Sequence, residues 1–269
     1  MKKNFVLIIS LISYITTQGQ SYNEDNGLLI EIPKDTLRME RYTSDNQVYV
    51  ANNEYIFSYE YLDKGGDKKK FKVVNGQWSF QNEVNPKVIE NISMIVLPDF
   101  GPFKKHQSWY DQTVVQYKLN TFDKSVPSEE ATGLVENKKN IWMHPPRMQL
   151  FRILELNPFP YIKFPIELGS EWTWSIEVGG FWGDERWIMW DESILNLIKY
   201  KVIELDVELN MSFGSLLCTK IEAFAESSLG ITFLNSYYNS KYGFVKLEYT
   251  NIDGSKITLQ LIDIDGINN

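Results

Sequence analysis

Strict period-two alternation of apolar and polar residues in the second half of the chain restricts it to an antiparallel β fold. Successive strand side chains point to opposite faces, so a run with every second residue apolar buries one face and wets the other. In residues 171–178, Trp172, Trp174, Ile176 and Val178 share one face. In residues 201–209, Ile203, Leu205, Val207 and Leu209 are expected to point inward, with Glu204, Asp206 and Glu208 in water. Leu217, Thr219, Ile221, Ala223 and Ala225 continue the pattern against Lys220, Glu222 and Glu226. Val245, Leu247 and Tyr249 oppose Lys246 and Glu248, and Ile257, Leu259 and Leu261 oppose Lys256, Thr258 and Gln260. Residues 251–255 include Asp253-Gly254, which supplies the positive φ of a tight hairpin. A second turn, at residues 240–243, follows a strand over 233–238. Successive hairpins predict a meander.

The first half is less regular. Tyr55, Phe57, Tyr59 and Tyr61 alternate, as do Val115, Tyr117 and Leu119, with shorter strands expected at 72–74 and 93–96. The run Lys68-Lys69-Lys70 beside Gly65-Gly66 reads as a solvated turn. Residues 148–156, between Pro145-Pro146 and Pro158, are the best helix candidate. The expected fold class is all-β with minor helix: a curved antiparallel sheet or incomplete barrel. The sequence contains no repeat and no flexible linker, so residues 20–269 read as a single β-rich domain, with a sub-boundary near Pro165 and a C-terminal meander over 166–263.

The first 19 residues have the three parts of a secretory signal peptide: Lys2 and Lys3, an apolar stretch from Phe5 to Ile15, and small residues at Thr17 and Gly19. The apolar stretch falls short of the roughly 20 residues a membrane-crossing helix needs, and nothing downstream reaches that length. An exported chain, periplasmic or secreted, without a transmembrane segment is expected. The only cysteine is Cys218. It excludes an intrachain disulfide, and with no cysteine near residue 20 the chain is expected not to be a lipoprotein. A core must therefore carry the fold, and 43% hydrophobic and 14% aromatic residues supply it. Without Lys2 and Lys3 the 27 basic side chains fall to 25 against 35 acidic ones, a formal charge of −10. That surface repels nucleic acid and anionic lipid.

Two segments carry a family resemblance. Residues 164–174 have the form apolar-Pro followed by Gly169-x-x-Trp172-x-Trp174, and residues 236–248 have Tyr237-Tyr238 followed by Gly243-x-Val245-Lys246-x-Glu248. Together they resemble the uncharacterised secreted and periplasmic β-proteins grouped as TapB-like, over about residues 164–262. The resemblance implies a curved antiparallel sheet similar to the LolA-like half-barrels of lipoprotein carriers, and it implies no activity. In physical terms, Gly169 lets the chain turn into a strand whose tryptophans fill the core, and Gly243 supplies a bend between strands.

Six large rings fall within 19 residues: Trp172, Trp174, Phe181, Trp182, Trp187 and Trp190. Gly179, Gly180 and Gly183 make the intervening loop adaptable. Rings beside polar groups hold a sugar face or a lipid tail, and Asp184, Glu185, Asp191 and Glu192 would accept hydrogen bonds from a polyol. The same rings also suit core or hairpin packing. A second cluster, Trp142, His144 and Arg147, is presented rigidly by Pro145-Pro146; the bland reading is a strand leaving its sheet with an idle histidine. Ligand-binding candidates are therefore Trp142, His144, Arg147, Trp172, Trp174, Trp182 and Trp187, and no catalytic or metal residue is assigned. A hydrolytic triad could draw only on His106 or His144, and no Gly-x-Ser-x-Gly elbow accompanies either. Paired acids in the 184–192 loop leave a glycan-acting hydrolase open. The sequence contains no zinc-type or phosphate-loop motif, and no cofactor is expected. Cys218 falls on the face of Lys220 and Glu222, which would leave it accessible. The reading with most support is a non-catalytic cell-envelope or secreted module for an apolar or amphiphilic ligand or a partner protein: lipid, glycan or envelope protein, and not nucleic acid. The alternatives are the hydrolase and a structural or assembly protein.

Overall fold

A computed structural model describes residues 21–25, 28–32, 46–82, 88–99, 101–102, 112–121 and 129–265. Residues 1–19, the expected signal peptide, and His106 lie outside the described residues. Among the described residues sixteen strands follow one another: β1 (Ser21–Asp25), β2 (Leu28–Ile32), β3 (Glu54–Leu62), β4 (Lys68–Val74), β5 (Gln77–Gln81), β6 (Ile89–Val96), β7 (Thr113–Thr121) and β8 (Glu129–Glu136). Then come β9 (Asn140–Met143), β10 (Tyr161–Lys163), β11 (Glu171–Val178), β12 (Ile194–Met211), β13 (Gly214–Ser227), β14 (Gly230–Asn239), β15 (Gly243–Thr250) and β16 (Lys256–Asp265). A 3-10 helix, Gln149–Leu156, joins β9 to β10, and a 3-10 turn, Gly180–Trp182, follows β11. The strand order is β1-β2-β11-β12-β13-β14-β15-β16-β3-β6-β7-β8-β9-β10, with the β4–β5 hairpin branching from β3. The sheet is antiparallel, curved and open, as the alternation required.

The stitch between the two halves is β16 on β3, where Leu259 pairs with Tyr59 and Leu261 with Phe57. Alternation matches burial along β3, β11 and β16, where every expected inward residue from Tyr55, Trp172 or Ile257 onward is buried. β12 behaves differently. Its inward residues are Asn196, Ile198, Tyr200 and Val202; after a bulge between Val202 and Val207, with Asp206 at φ 58°, the inward set shifts to odd positions. Val207 and Leu209 are half-buried there, and Leu205 is exposed. Across the bulge, Cys218 pairs with Val207 and is buried, whereas Leu217 is exposed; burial pushes the thiol up to about 11. The expected accessible cysteine is thus an inaccessible one, because the bulge swaps faces.

One stretch of chain fills the inside of the curve. Residues 140–162 are almost continuously buried. The last carbonyl of the 3-10 helix, on Leu156, accepts from Asn196 Nδ2 (3.1 Å) and Thr232 Oγ1 (2.7 Å). Asn157 Nδ2 donates to the Thr250 carbonyl (3.0 Å), and Tyr200 OH donates to that of Phe159 (3.1 Å). Helix-end carbonyls have no partner within the helix, and polar residues on the inner faces of β12 and β14 supply one. Trp142, Phe159 and Trp174 pack around this segment with ring centroids 5.4–5.7 Å apart. Strand β9 is thereby held against β11, although the sheet never pairs them.

Candidate functional site: a buried polar cluster and an outer groove

The residues marked out in the sequence separate into three environments. Trp142, Trp172 and Trp174 are buried at 3%, 9% and 8% exposure and belong to the core. Trp172 stacks on Tyr200 with centroids 5.3 Å apart and planes 4° from parallel.

His144 and Arg147 belong to a buried polar cluster with Glu130 and Glu155. His144 Nδ1 lies 3.0 Å from the Pro145 carbonyl, which fixes the proton on Nδ1 and leaves Nε2 an acceptor. Arg147 Nη1 lies 3.4 Å from Nε2 and Glu155 Oε1 lies 3.5 Å from it. Burial, with the Arg147 cation adding to it, pushes His144 well below its ordinary value. Burial pushes Glu155 up to about 8, against the pull of Arg147. Burial thus favours the neutral form of Glu155. The Arg147 amide donates to Glu130 Oε1 (2.5 Å), and Arg147 Nε lies 3.8 Å from Oε2. Desolvation still raises Glu130 to about 7.

Trp182 and Trp187 sit in the β11–β12 connection, which straps across this cluster. The Trp182 ring lies between Arg147 (5.4 Å) and Arg152 (5.6 Å), and Arg152 also donates to the Phe181 carbonyl. Trp187 stacks near Trp78 of β5 at 6.1 Å, and the Arg186 guanidinium lies 3.6 Å from the Trp78 ring. Asp184, one of the acids considered for glycoside chemistry, is held by Arg186, which lowers its pKa although desolvation opposes it. Among the described residues, no three His, Cys, Asp or Glu side chains converge as a metal site would need.

The concavity open to solvent lies elsewhere. A groove of about 730 Å³ runs over the outer face of β11–β14, lined by Glu171, Thr173, Lys199, Lys201, Glu222, Phe224, Phe233 and Asn235. Trp172, Tyr200 and Ala223, with side chains buried on the opposite face, complete its floor. Register sets its chemistry. One cross-strand row reads Thr173, Lys199, Phe224, Phe233, and the next reads Ser175, Leu197, Glu226, Ile231. Phe233, Leu197 and Ile231 are 50%, 51% and 50% exposed. Sequence reading missed this face, because the outward residues Leu195 and Leu197 are apolar and the inward Asn196 is polar, which hides the alternation of β12. Three exposed apolar side chains on the outward parity of neighbouring strands were the signal available.

Comparison with known proteins yields structural likeness only. No family model and no curated relative matches the chain. A Bacteroides fragilis protein described as exported, with a YmcC-like fold, aligns at TM-score 0.42 and 9% identity, over 81% of this chain and 97% of that one. A Parabacteroides distasonis protein described as a lipoprotein aligns at 0.41 and 10%, over 81% and 97%. The hypothetical lipoprotein YmcC of Escherichia coli aligns at 0.36 and 10%, over 81% and 90%. Two of these three are described as lipoproteins, and on that finding the expectation that this chain is not one is withdrawn. Its ground was that no cysteine stands near residue 20, Cys218 being the only one in the sequence. No helix among the described residues is long and apolar enough to cross a membrane.

Proposed function

We propose that the protein is a non-catalytic binding module that holds an apolar or amphiphilic ligand in the outer groove of β11–β14. The observation that carries this is the exposure of Leu197, Ile231 and Phe233 on one face, beside a groove of about 730 Å³. Leaving such side chains in water forgoes about 1.5–3 kcal/mol each relative to full burial, and contiguous exposed apolar surface marks interaction sites. The volume falls in the range of about 300–1,000 Å³ common to small-molecule sites. The tryptophans proposed from sequence contribute differently: Trp172 backs the groove floor, while Trp182 and Trp187 secure the strap.

The test is titration with a neutral apolar dye, N-phenyl-1-naphthylamine. Saturable fluorescence enhancement is expected in the native protein, and loss of most of it in Phe233→Ser and Leu197→Ser, whose exposed positions leave the fold intact by circular dichroism. Absence of saturable binding, or binding indifferent to both substitutions, would remove this reading.

A further inference from the structure

The charges around the groove are not evenly compensated, and this bears on what it accepts. Glu171 Oε1 lies 2.7 Å from Lys201 Nζ, and Glu222 Oε1 lies 3.7 Å from Lys220 Nζ. Lys199 is different. Its cross-strand neighbours are Thr173 and Phe224, and its Nζ lies 5.6 Å from the Phe224 ring. No carboxylate among the described residues lies within ion-pair distance of it. A cation with no ion-pair partner among the described residues thus stands next to the part of the row formed by Phe224 and Phe233.

From β12 to β14 is two inter-strand steps, roughly 10 Å, which sets the length of apolar body that the row can cover. Glu171, Glu222 and Glu226 flank the row, on a chain whose formal charge is −8. A single negative charge placed on Lys199 is attracted; a second one on the same ligand would meet those three carboxylates. We infer that the groove selects a single-chain amphiphile with one monoanionic head, a fatty-acid-type carboxylate, bound with its head on Lys199 and its tail across Phe224 and Phe233. This rests on the binding reading above and adds the head-group chemistry to it.

The experiment displaces the neutral dye from the full protein with dodecanoate, dodecanol, dodecyl phosphate and dodecyltrimethylammonium, each kept below its micelle concentration at pH 8. Dodecanoate is expected to bind about fivefold more tightly than dodecanol, the scale of an exposed charge pair, and the cationic analogue most weakly. Dodecyl phosphate, a dianion at that pH, should fall below dodecanoate. Lys199→Met should erase the advantage of dodecanoate over dodecanol, and Lys199→Arg should retain it. Equal affinity for dodecanoate and dodecanol in the native protein would overturn the head-group inference and leave the apolar site standing. So would a preference that survives Lys199→Met. Failure of every amphiphile to displace the dye would instead sink the site itself. Co-sedimentation with vesicles of phosphatidylglycerol, abolished by Lys199→Met, would overturn the free single-chain ligand in favour of a membrane surface.

Discussion

Glu155 is the residue whose environment departs furthest from what its chemistry prefers. It is 3% exposed, and its Oε1 has no hydrogen-bond partner. Folding raises its pKa from 4.5 to about 8, so between those values the folded chain binds more protons than the unfolded one. The sign follows: its contribution is complete below pH 4.5 and is lost as pH climbs through about 8. Glu155→Gln keeps the shape of the side chain and removes the titration. Urea unfolding at pH 5 and pH 9 should show wild type losing roughly 3–5 kcal/mol relative to the variant across that interval; parallel profiles would contradict the assignment. His144 works in the opposite direction. Its depressed pKa means that stability present above pH 6.5 is lost as pH falls below it. Gly243 poses a steric question of the same scale. Its φ is 75°, and an added Cβ would stand 2.3 Å from Tyr49 OH, a hydroxyl that accepts from the Phe244 amide at 2.9 Å. Tyr49 is 1% exposed and cannot retreat. Gly243→Ala is expected to cost at least about 2 kcal/mol in chemical denaturation.

Elements show how sequence legibility depends on which faces are wet. β3, β11, β15 and β16 each pair a buried face with a polar one, so alternation alone recovered their positions and inward residues. β12 was read from residue 201 only, although it begins at Ile194, because its first half carries leucine outward and asparagine inward. Both exceptions have a place in the structure: Asn196 donates to the last carbonyl of the internal 3-10 helix, and Leu197 lies on the exposed face beside the groove. An exposed apolar face and helix capping broke the pattern at the same place, so the groove was the part of the protein hardest to read. Proline boundaries placed the 3-10 helix correctly, but nothing in its sequence announced that it would be interior. Asn196→Leu tests the tether. It should lower stability by about 1–2 kcal/mol, since one of two hydrogen bonds to the Leu156 carbonyl disappears inside the core. The strap is a second testable element. Trp187→Ala removes the ring beside Trp78, and limited proteolysis is expected to cut the 184–190 segment faster in the variant while the remaining chain resists.

At the scale of the whole molecule, the sheet joins its two halves through strands far apart in sequence. β3 lies between β16 and β6, so the N-terminal strands β6 to β9 reach the C-terminal meander only through one central strand. The chain then returns: the β9–β10 connection enters the inside of the curve, where β12 and β14 donate to its Leu156 carbonyl and its Asn157 Nδ2 donates to the Thr250 carbonyl of β15. The sub-boundary suggested near Pro165 therefore leads to a definite expectation. Were the two halves separate folding units, denaturation followed by near-ultraviolet circular dichroism and by far-ultraviolet circular dichroism would resolve two steps. The β16–β3 pairing and the shared interior segment favour coincident transitions, the signature of cooperative two-state unfolding. Leu261→Ala, at a 0% exposed position paired with Phe57, should shift the one transition by about 2–5 kcal/mol with both probes moving together. A variant in which only one probe moved would show that the halves unfold independently, and the interior segment would then be a contact between domains rather than part of one core.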